Sequence, residues 1–218
     1  MIHIIKQNEP EALKALRESG ALKYADLKGK AKKEVETSLL EEQGYLCAYC
    51  MRQISYLGSI EHHHPQSIYN GTDGKADLRL SYSNFLGVCV GYYNLTPNIH
   101  HPDHLKAHCE NVRGNKPLKV NPQDERTIAA IKYTNNGKIF SEDAEINTDV
   151  TETLHLNLEK LRQNRMEVWD GVQKGLSIRG RTPQNIQQQF AKYSHRKDGK
   201  RFEYCGIVLY YLQKEMAK

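Results

Sequence analysis

The feature that most constrains this chain is a set of four cysteines spread through a stretch with little else to hold it together. Cys47-Ala48-Tyr49-Cys50 forms a C-x-x-C pair, and Cys89 and Cys109 follow downstream. From Tyr45 to about Pro122 the sequence is rich in Cys, His, Tyr, Gly and Asn and poor in hydrophobic periodicity. A segment of that composition buries little apolar surface, and small folds of this kind often depend on a structural metal. Four thiolates are the tetrahedral soft-ligand set that Zn²⁺ prefers. The second pair is widely spaced, so Val90 to His108 reads as an insertion into a zinc knuckle, with His104 or His108 open as a replacement for one thiolate. Two other readings stand beside zinc: unrelated buried cysteines and a redox pair. A redox C-x-x-C belongs at a helix start beside a βαβ pattern, which is not the setting of Cys47. The fifth cysteine, Cys205, lies in an apolar helical stretch and reads as a buried free thiol. An odd cysteine count without an export signal argues against a disulfide framework.

Around this centre the periodicity is helical. Glu9 to Ser19 and Lys30 to Gln43 read as helices, stopped by Gly20 and Gly44. Ile131-Lys132-Tyr133-Thr134 and Lys138-Ile139-Phe140 flank Asn135-Asn136-Gly137, a hairpin signal because Asn and Gly supply the φ > 0 residues of a tight turn. Val150 to about Gly175 reads as one long helix, followed by helices over Pro183 to Tyr193 and Phe202 to Met216. The expected fold is α+β, a small zinc-stabilised ββα core embedded in a mainly α-helical frame. Three segments suggest themselves, 1–44, 45–122 and a basic 123–218, in one compact unit. No apolar run reaches the ~20 residues of a membrane span, so no membrane partner and a cytoplasmic location are expected. The net charge of +5 permits a polyanionic partner without demanding one. It is concentrated late, where Lys174, Arg179, Arg181, Lys192, Arg196, Lys197, Lys200 and Arg201 face Asp198 alone. That run reads either as a solvated surface or as a phosphate-tracking one.

The most informative string is Ile60-Glu61-His62-His63-His64-Pro65-Gln66-Ser67. A strand-like approach ends in an acid, a histidine and a proline turn. A carboxylate holds a divalent metal. The adjacent imidazole, on the other side of the strand, activates a water beside it. Phosphodiester hydrolysis needs both functions. Asn84, shortly before Cys89, is placed to orient the catalytic imidazole through its carbonyl. Glu110 or Asn111, directly after Cys109, is placed to complete the metal site, and Arg113 and Lys116 to hold phosphates. Each has a plain structural reading too: a polar loop for the histidines, a cap or turn for Asn84, loop charge for Arg113 and Lys116.

In order, C-x-x-C, acid-His-x-x-Pro, Asn before Cys, and Cys with a ligand beside it, this set resembles the HNH, or ββα-metal, endonucleases. The resemblance makes Glu61 the first metal ligand, His62 the general base, Asn84 the middle asparagine and Glu110, or Asn111, the last ligand. The family's last ligand is usually His or Asn, so Glu110 is a departure. It implies a structural zinc and a separate catalytic Mg²⁺ or Mn²⁺. Cys47-Ala48-Tyr49-Cys50-Met51-Arg52, the Glu-His-x-x-Pro-Gln-Ser string, Leu86-Gly87-Val88-Cys89 and Gly114-Asn115-Lys116-Pro117-Leu118 are similar to the HNH subunit of Septu-type and retron-associated anti-phage systems. That implies a bacterial defence effector acting on DNA or RNA. Its partner would be an ABC/SMC-like ATPase, with or without a retron reverse transcriptase and its RNA–DNA product. A zinc-binding module that docks nucleic acid or the ATPase without catalysis is the alternative.

Overall fold

The structure is a computed structural model and describes residues 1–91 and 107–217. Two helices open the chain, α1 (Glu11–Glu18) and α2 (Gly29–Glu42). Ala31, Val35 and Leu39 recur every four residues along α2 and make its buried stripe. Strands β1 (Ser59–His62) and β2 (Phe85–Val88) pair antiparallel, with Glu61 opposite Leu86 and His62 opposite Phe85. A single helical turn, α3 (Glu110–Arg113), follows the two strands in the chain. Next come α4 (Glu125–Ala129), a two-stranded hairpin of β3 (Lys132–Tyr133) and β4 (Ile139–Phe140), and α5 (Ala144–Thr148). Three longer helices close the chain: α6 (Glu159–Arg179), α7 (Pro183–Ser194) and α8 (Cys205–Met216). Helix α7 starts where its sequence says it should: Thr182 caps it by accepting from the Asn185 amide, and Pro183 takes the first position.

The β1–β2 sheet separates two apolar clusters. Ile60 and Phe85 pack with Leu13, Val35 and Leu39 of the first two helices. Leu86 and Val88 point the other way, into a larger cluster that joins Met1 and Ile4, the cysteines, and buried residues of α6, α7 and α8. All three sequence segments thus contribute to one core. Gln43 fixes the sheet to the end of α2: its Oε1 accepts from Gly87 N at 2.7 Å while its Nε2 donates to Gly87 O at 2.8 Å. The side-chain amide thereby acts as one extra peptide group on the edge of β2.

One expected element is broken. Instead of a continuous helix from Val150, the chain makes a π-type turn over Asp149–Thr153, leaves the helix, and resumes as α6. The Leu154 carbonyl, which a continuing helix would offer to Leu158, accepts from the Cys109 amide at 2.9 Å. His155 then turns into the left-handed region at φ 48°. Buried Arg165 closes the gap by donating to Leu156 O and to Gly137 O, both at 2.7 Å. Gly137 itself sits at φ 75° with its missing Cβ 2.5 Å from the Arg162 carbonyl, so only glycine fits that turn.

Candidate functional site

The four cysteines meet. Their Sγ atoms lie within 4.8 Å of one another, and all four residues are buried. Individual separations are 3.8 Å for Cys47–Cys109, 3.8 Å for Cys50–Cys89 and 4.0 Å for Cys89–Cys109. Ligands at a tetrahedral zinc, each about 2.3 Å from the ion, stand about 3.8 Å apart. A disulfide needs about 2.05 Å. The donor set therefore fits a metal ion such as zinc. Hydrogen bonds from Cys109 first, then Cys47 and Cys50, hold the Cys89 thiol well below its ordinary range, while burial pushes Cys109 up. Thiols crowded in a dry site cannot all ionise without a cation among them. His108 stands against the cluster, its Nδ1 3.1 Å from Cys109 Sγ and 4.0 Å from Cys89 Sγ. It adjoins a complete set of four sulfurs and replaces none of them. His104 and most of the Val90–His108 insertion lie outside the described residues. Cys205 is buried and unpaired, as its apolar setting implies.

Strand alternation divides the acid-histidine pair. Glu61 leaves β1 on the cysteine side. Its Oε1 accepts from Arg113 Nη1 and, at 3.1 Å, from the Tyr49 hydroxyl. Burial raises the Glu61 carboxyl and the Arg113 guanidinium opposes that; the nearby Glu110 carboxylate adds to the rise. The other oxygen, Oε2, makes no hydrogen bond among the described residues. His62 leaves on the opposite face. Its ring meets Tyr24 and Phe85 edge-on at 4.7 and 4.9 Å between centroids. Its Nε2 lies 3.0 Å from the Arg79 carbonyl. A carbonyl only accepts, so Nε2 carries the proton and Nδ1 the lone pair. Burial lowers the His62 pKa, which keeps the imidazole neutral and basic at Nδ1. The loop that supplies the Arg79 carbonyl is stiffened by a two-point Arg79–Asp77 pair at 2.9 and 2.6 Å.

Two expected roles need correction. Asn84 does not touch the His62 ring. Its Oδ1 accepts from His64 N at 2.7 Å, and its Nδ2 donates to His64 O and Leu78 O at 3.0 and 3.2 Å. It positions the turn after β1 by stapling main chain, because the residue two past His62 passes directly beneath it. Arg113 is no surface phosphate ligand. It is 1% exposed. Besides the Glu61 pair it donates to the carbonyls of His62, His63 and Lys116 at 2.9, 2.5 and 2.8 Å. Helix α3 is one turn long, and that turn aims Arg113 inward at β1. Lys116 is exposed. Glu110 reaches β1 by accepting from the Ser59 hydroxyl at 3.2 Å, whereas Asn111 is exposed and donates to the Val90 carbonyl.

The hard oxygens of Glu61 and Glu110 are near enough to influence each other and are the donor type Mg²⁺ and Mn²⁺ take. Among the described residues, only the four cysteines gather three or more potential ligands around one point. A divalent ion on the carboxylates would have two protein ligands and otherwise water. Residue reading by sequence missed Tyr49, Tyr24 and the Arg79 carbonyl. Of these only Tyr49 carried a signal, an aromatic with a polar tip inside the C-x-x-C. No family model matches the chain, and no curated protein matches it. No helix among the described residues is long and apolar enough to cross a membrane.

Proposed function

We propose that this protein is an HNH-type endonuclease that hydrolyses phosphodiester bonds in DNA or RNA, with a structural zinc on Cys47, Cys50, Cys89 and Cys109. One observation carries the reading: a neutral imidazole at the end of β1, its Nε2–H fixed on a carbonyl, with its basic Nδ1 left without a hydrogen bond among the described residues. That is the state a general base needs before it takes a proton from water. His62 ends its strand, so a phosphodiester lying across that end would have the imidazole on one side and Glu61 on the other, with Glu110 farther along β1 at Ser59. Glu61 Oε2 and Glu110 would hold Mg²⁺ or Mn²⁺, which when bound stabilises charge on the phosphate and the leaving oxygen. Arg113 and Tyr49 lock the Glu61 carboxylate in one orientation; Asn84 fixes the turn behind His62. Lys116 is exposed and suited to a flanking phosphate. The resemblance to Septu-type and retron-associated subunits extends the proposal to a bacterial anti-phage effector controlled by an ABC/SMC-like ATPase.

The second reading, a non-catalytic zinc module, draws on the Glu61–Arg113 pair, since a buried guanidinium already neutralises the acid. The test is cleavage of mixed plasmid DNA and total RNA by the wild type and His62→Gln, with Mg²⁺ or Mn²⁺ and with EDTA, alone and with the ATPase. Cleavage lost in His62→Gln and in EDTA supports the nuclease. A wild type silent in every combination favours the module.

A further inference from the structure

Several basic side chains elsewhere on the surface sit against carboxylates. Lys119 is paired with Asp143 and Glu145, Lys132 with Glu142, Arg126 with Asp124, and Arg181 with Glu215. The region from Lys192 to Arg201 departs from this. Lys192, Arg196, Lys197, Lys200 and Arg201 make no ion pair with any carboxylate among the described residues, and Asp198 is the one acid in their span. They are nevertheless not loose. Lys197 and Lys200 exchange backbone hydrogen bonds at 2.8 and 2.9 Å, and Asp198 and Gly199 between them sit at φ 52° and 77°. That is a two-residue hairpin of the tightest kind.

The hairpin is bolted to the entrance of the cysteine knuckle. Arg196 donates to the carbonyls of Glu41 and Glu42 at the end of α2, both at 2.6 Å. The Arg201 amide donates to Gly44 O at 2.9 Å. Gly44 has no side chain where Arg201 lies: a Cβ there would be 2.7 Å from Arg201 Cγ. Capping α2 with a cation is itself favourable, so Arg196 has a structural reason to be there. The lysines have none. Lys200 is held 5.3 Å above the Tyr45 ring, and Lys192 lies 5.2 Å from Phe202 and 5.6 Å from Tyr193. Rings fix an ammonium without cancelling its charge. Burial and the neighbouring Arg201 both lower the Arg196 pKa, a sign of like charges held together.

We infer that this rigid, strongly basic hairpin is a docking surface for the phosphate backbone of a nucleic-acid strand, separate from the cleavage site. A preorganised row of unneutralised cations with aromatic rings between them matches a polyanion whose charges repeat along a line. Phosphates spaced regularly along a strand suit cations held in a fixed row better than the irregular carboxylates of an acidic protein do. The nature of the strand rests on the nuclease reading, but the docking itself does not require cleavage.

The test is binding of full-length, zinc-loaded protein, without added Mg²⁺ or Mn²⁺, to a labelled 30-mer, single- and double-stranded, across a salt series. The variant is Lys192→Gln/Lys197→Gln/Lys200→Gln, which touches neither Arg196 nor Arg201 and should keep the wild-type melting temperature. Each phosphate contact contributes about 0.7–0.9 to the slope of log affinity against log salt. The triple variant should flatten the slope by about two and bind roughly tenfold or more weakly at 0.1 M salt. His62→Gln should bind as the wild type does. A folded triple variant with unchanged affinity and slope overturns the inference, as does a wild type that binds neither strand. So does poly-glutamate of equal charge competing as well as nucleic acid, which would assign the surface to an acidic protein. Failure of cleavage with retained, lysine-dependent binding would sink the nuclease reading alone.

Discussion

Replacing Arg113 by methionine should damage this protein more than any single surface change. The guanidinium is 1% exposed and serves Glu61 together with the carbonyls of His62, His63 and Lys116. Removing it strands a buried carboxylate and leaves three carbonyls short of a donor. Breaking one half of a buried pair costs about 3–5 kcal/mol. For a chain of 218 residues, at about 2–4 °C per kcal/mol, the melting temperature should fall by roughly 10 °C. The loss has a pH signature. Burial already raises the Glu61 carboxyl, and Arg113 is the main influence against it. Without Arg113 the folded-state pKa climbs further. The folded protein then keeps a proton that the unfolded chain releases, so its stability falls as pH rises from the ordinary carboxylate range through the raised value. The deficit should be larger at about pH 8 than at about pH 5. Adding Glu61→Gln should recover much of it, because a neutral pair carries no stranded charge. Thermal and urea unfolding of the two single variants and the double, each checked for zinc content, gives the coupling energy. A deficit below about 1 kcal/mol, or one independent of pH, would refute the account of Arg113 as a buried positioning residue.

Cys47→Ser should lower bound zinc below one ion per chain and abolish cooperative unfolding, read by metal analysis and calorimetry; full zinc with normal melting would remove Cys47 from the ligand set. Asn84→Asp keeps an acceptor for His64 N but loses both donations to carbonyls, and should cost about 1–3 kcal/mol in urea unfolding, with any cleavage falling alongside. His62→Ala should destabilise by about 1–3 kcal/mol, because it empties the space between Tyr24 and Phe85. His62→Gln fills that space, so it should lose cleavage at nearly wild-type stability. Equal melting of the two variants would show that the ring does not pack as described.

What was legible in the sequence follows from how local its cause was. The cysteines announced themselves because four soft ligands in a polar stretch have few other uses. Helices α2 and α7 were readable from apolar spacing, and the β3–β4 hairpin from Asn135-Asn136-Gly137. The break before α6 was not, because Val150, Leu154, Leu158 and Leu161 keep helical spacing straight through it. What breaks the helix is the Cys109 amide, 45 positions upstream, claiming the Leu154 carbonyl. Arg113 and Asn84 were misread for the same reason. Each looked like a side chain available to a ligand, and each is spent on backbone that only the folded chain brings within reach. Alternation along β1 did predict that Glu61 and His62 leave on opposite faces.

The 4.0 Å between Cys89 and Cys109 has a consequence for what this scaffold tolerates. The two residues bracket the whole insertion and are cinched at its base, so the core registers where that segment leaves and returns, and hardly how long it is. Doubling a loop closed in this way costs only about 0.6 kcal/mol. Added length between these two positions is therefore nearly free for the fold. The cysteine clamp works as a socket, a place where chain can be added without renegotiating the rest of the molecule.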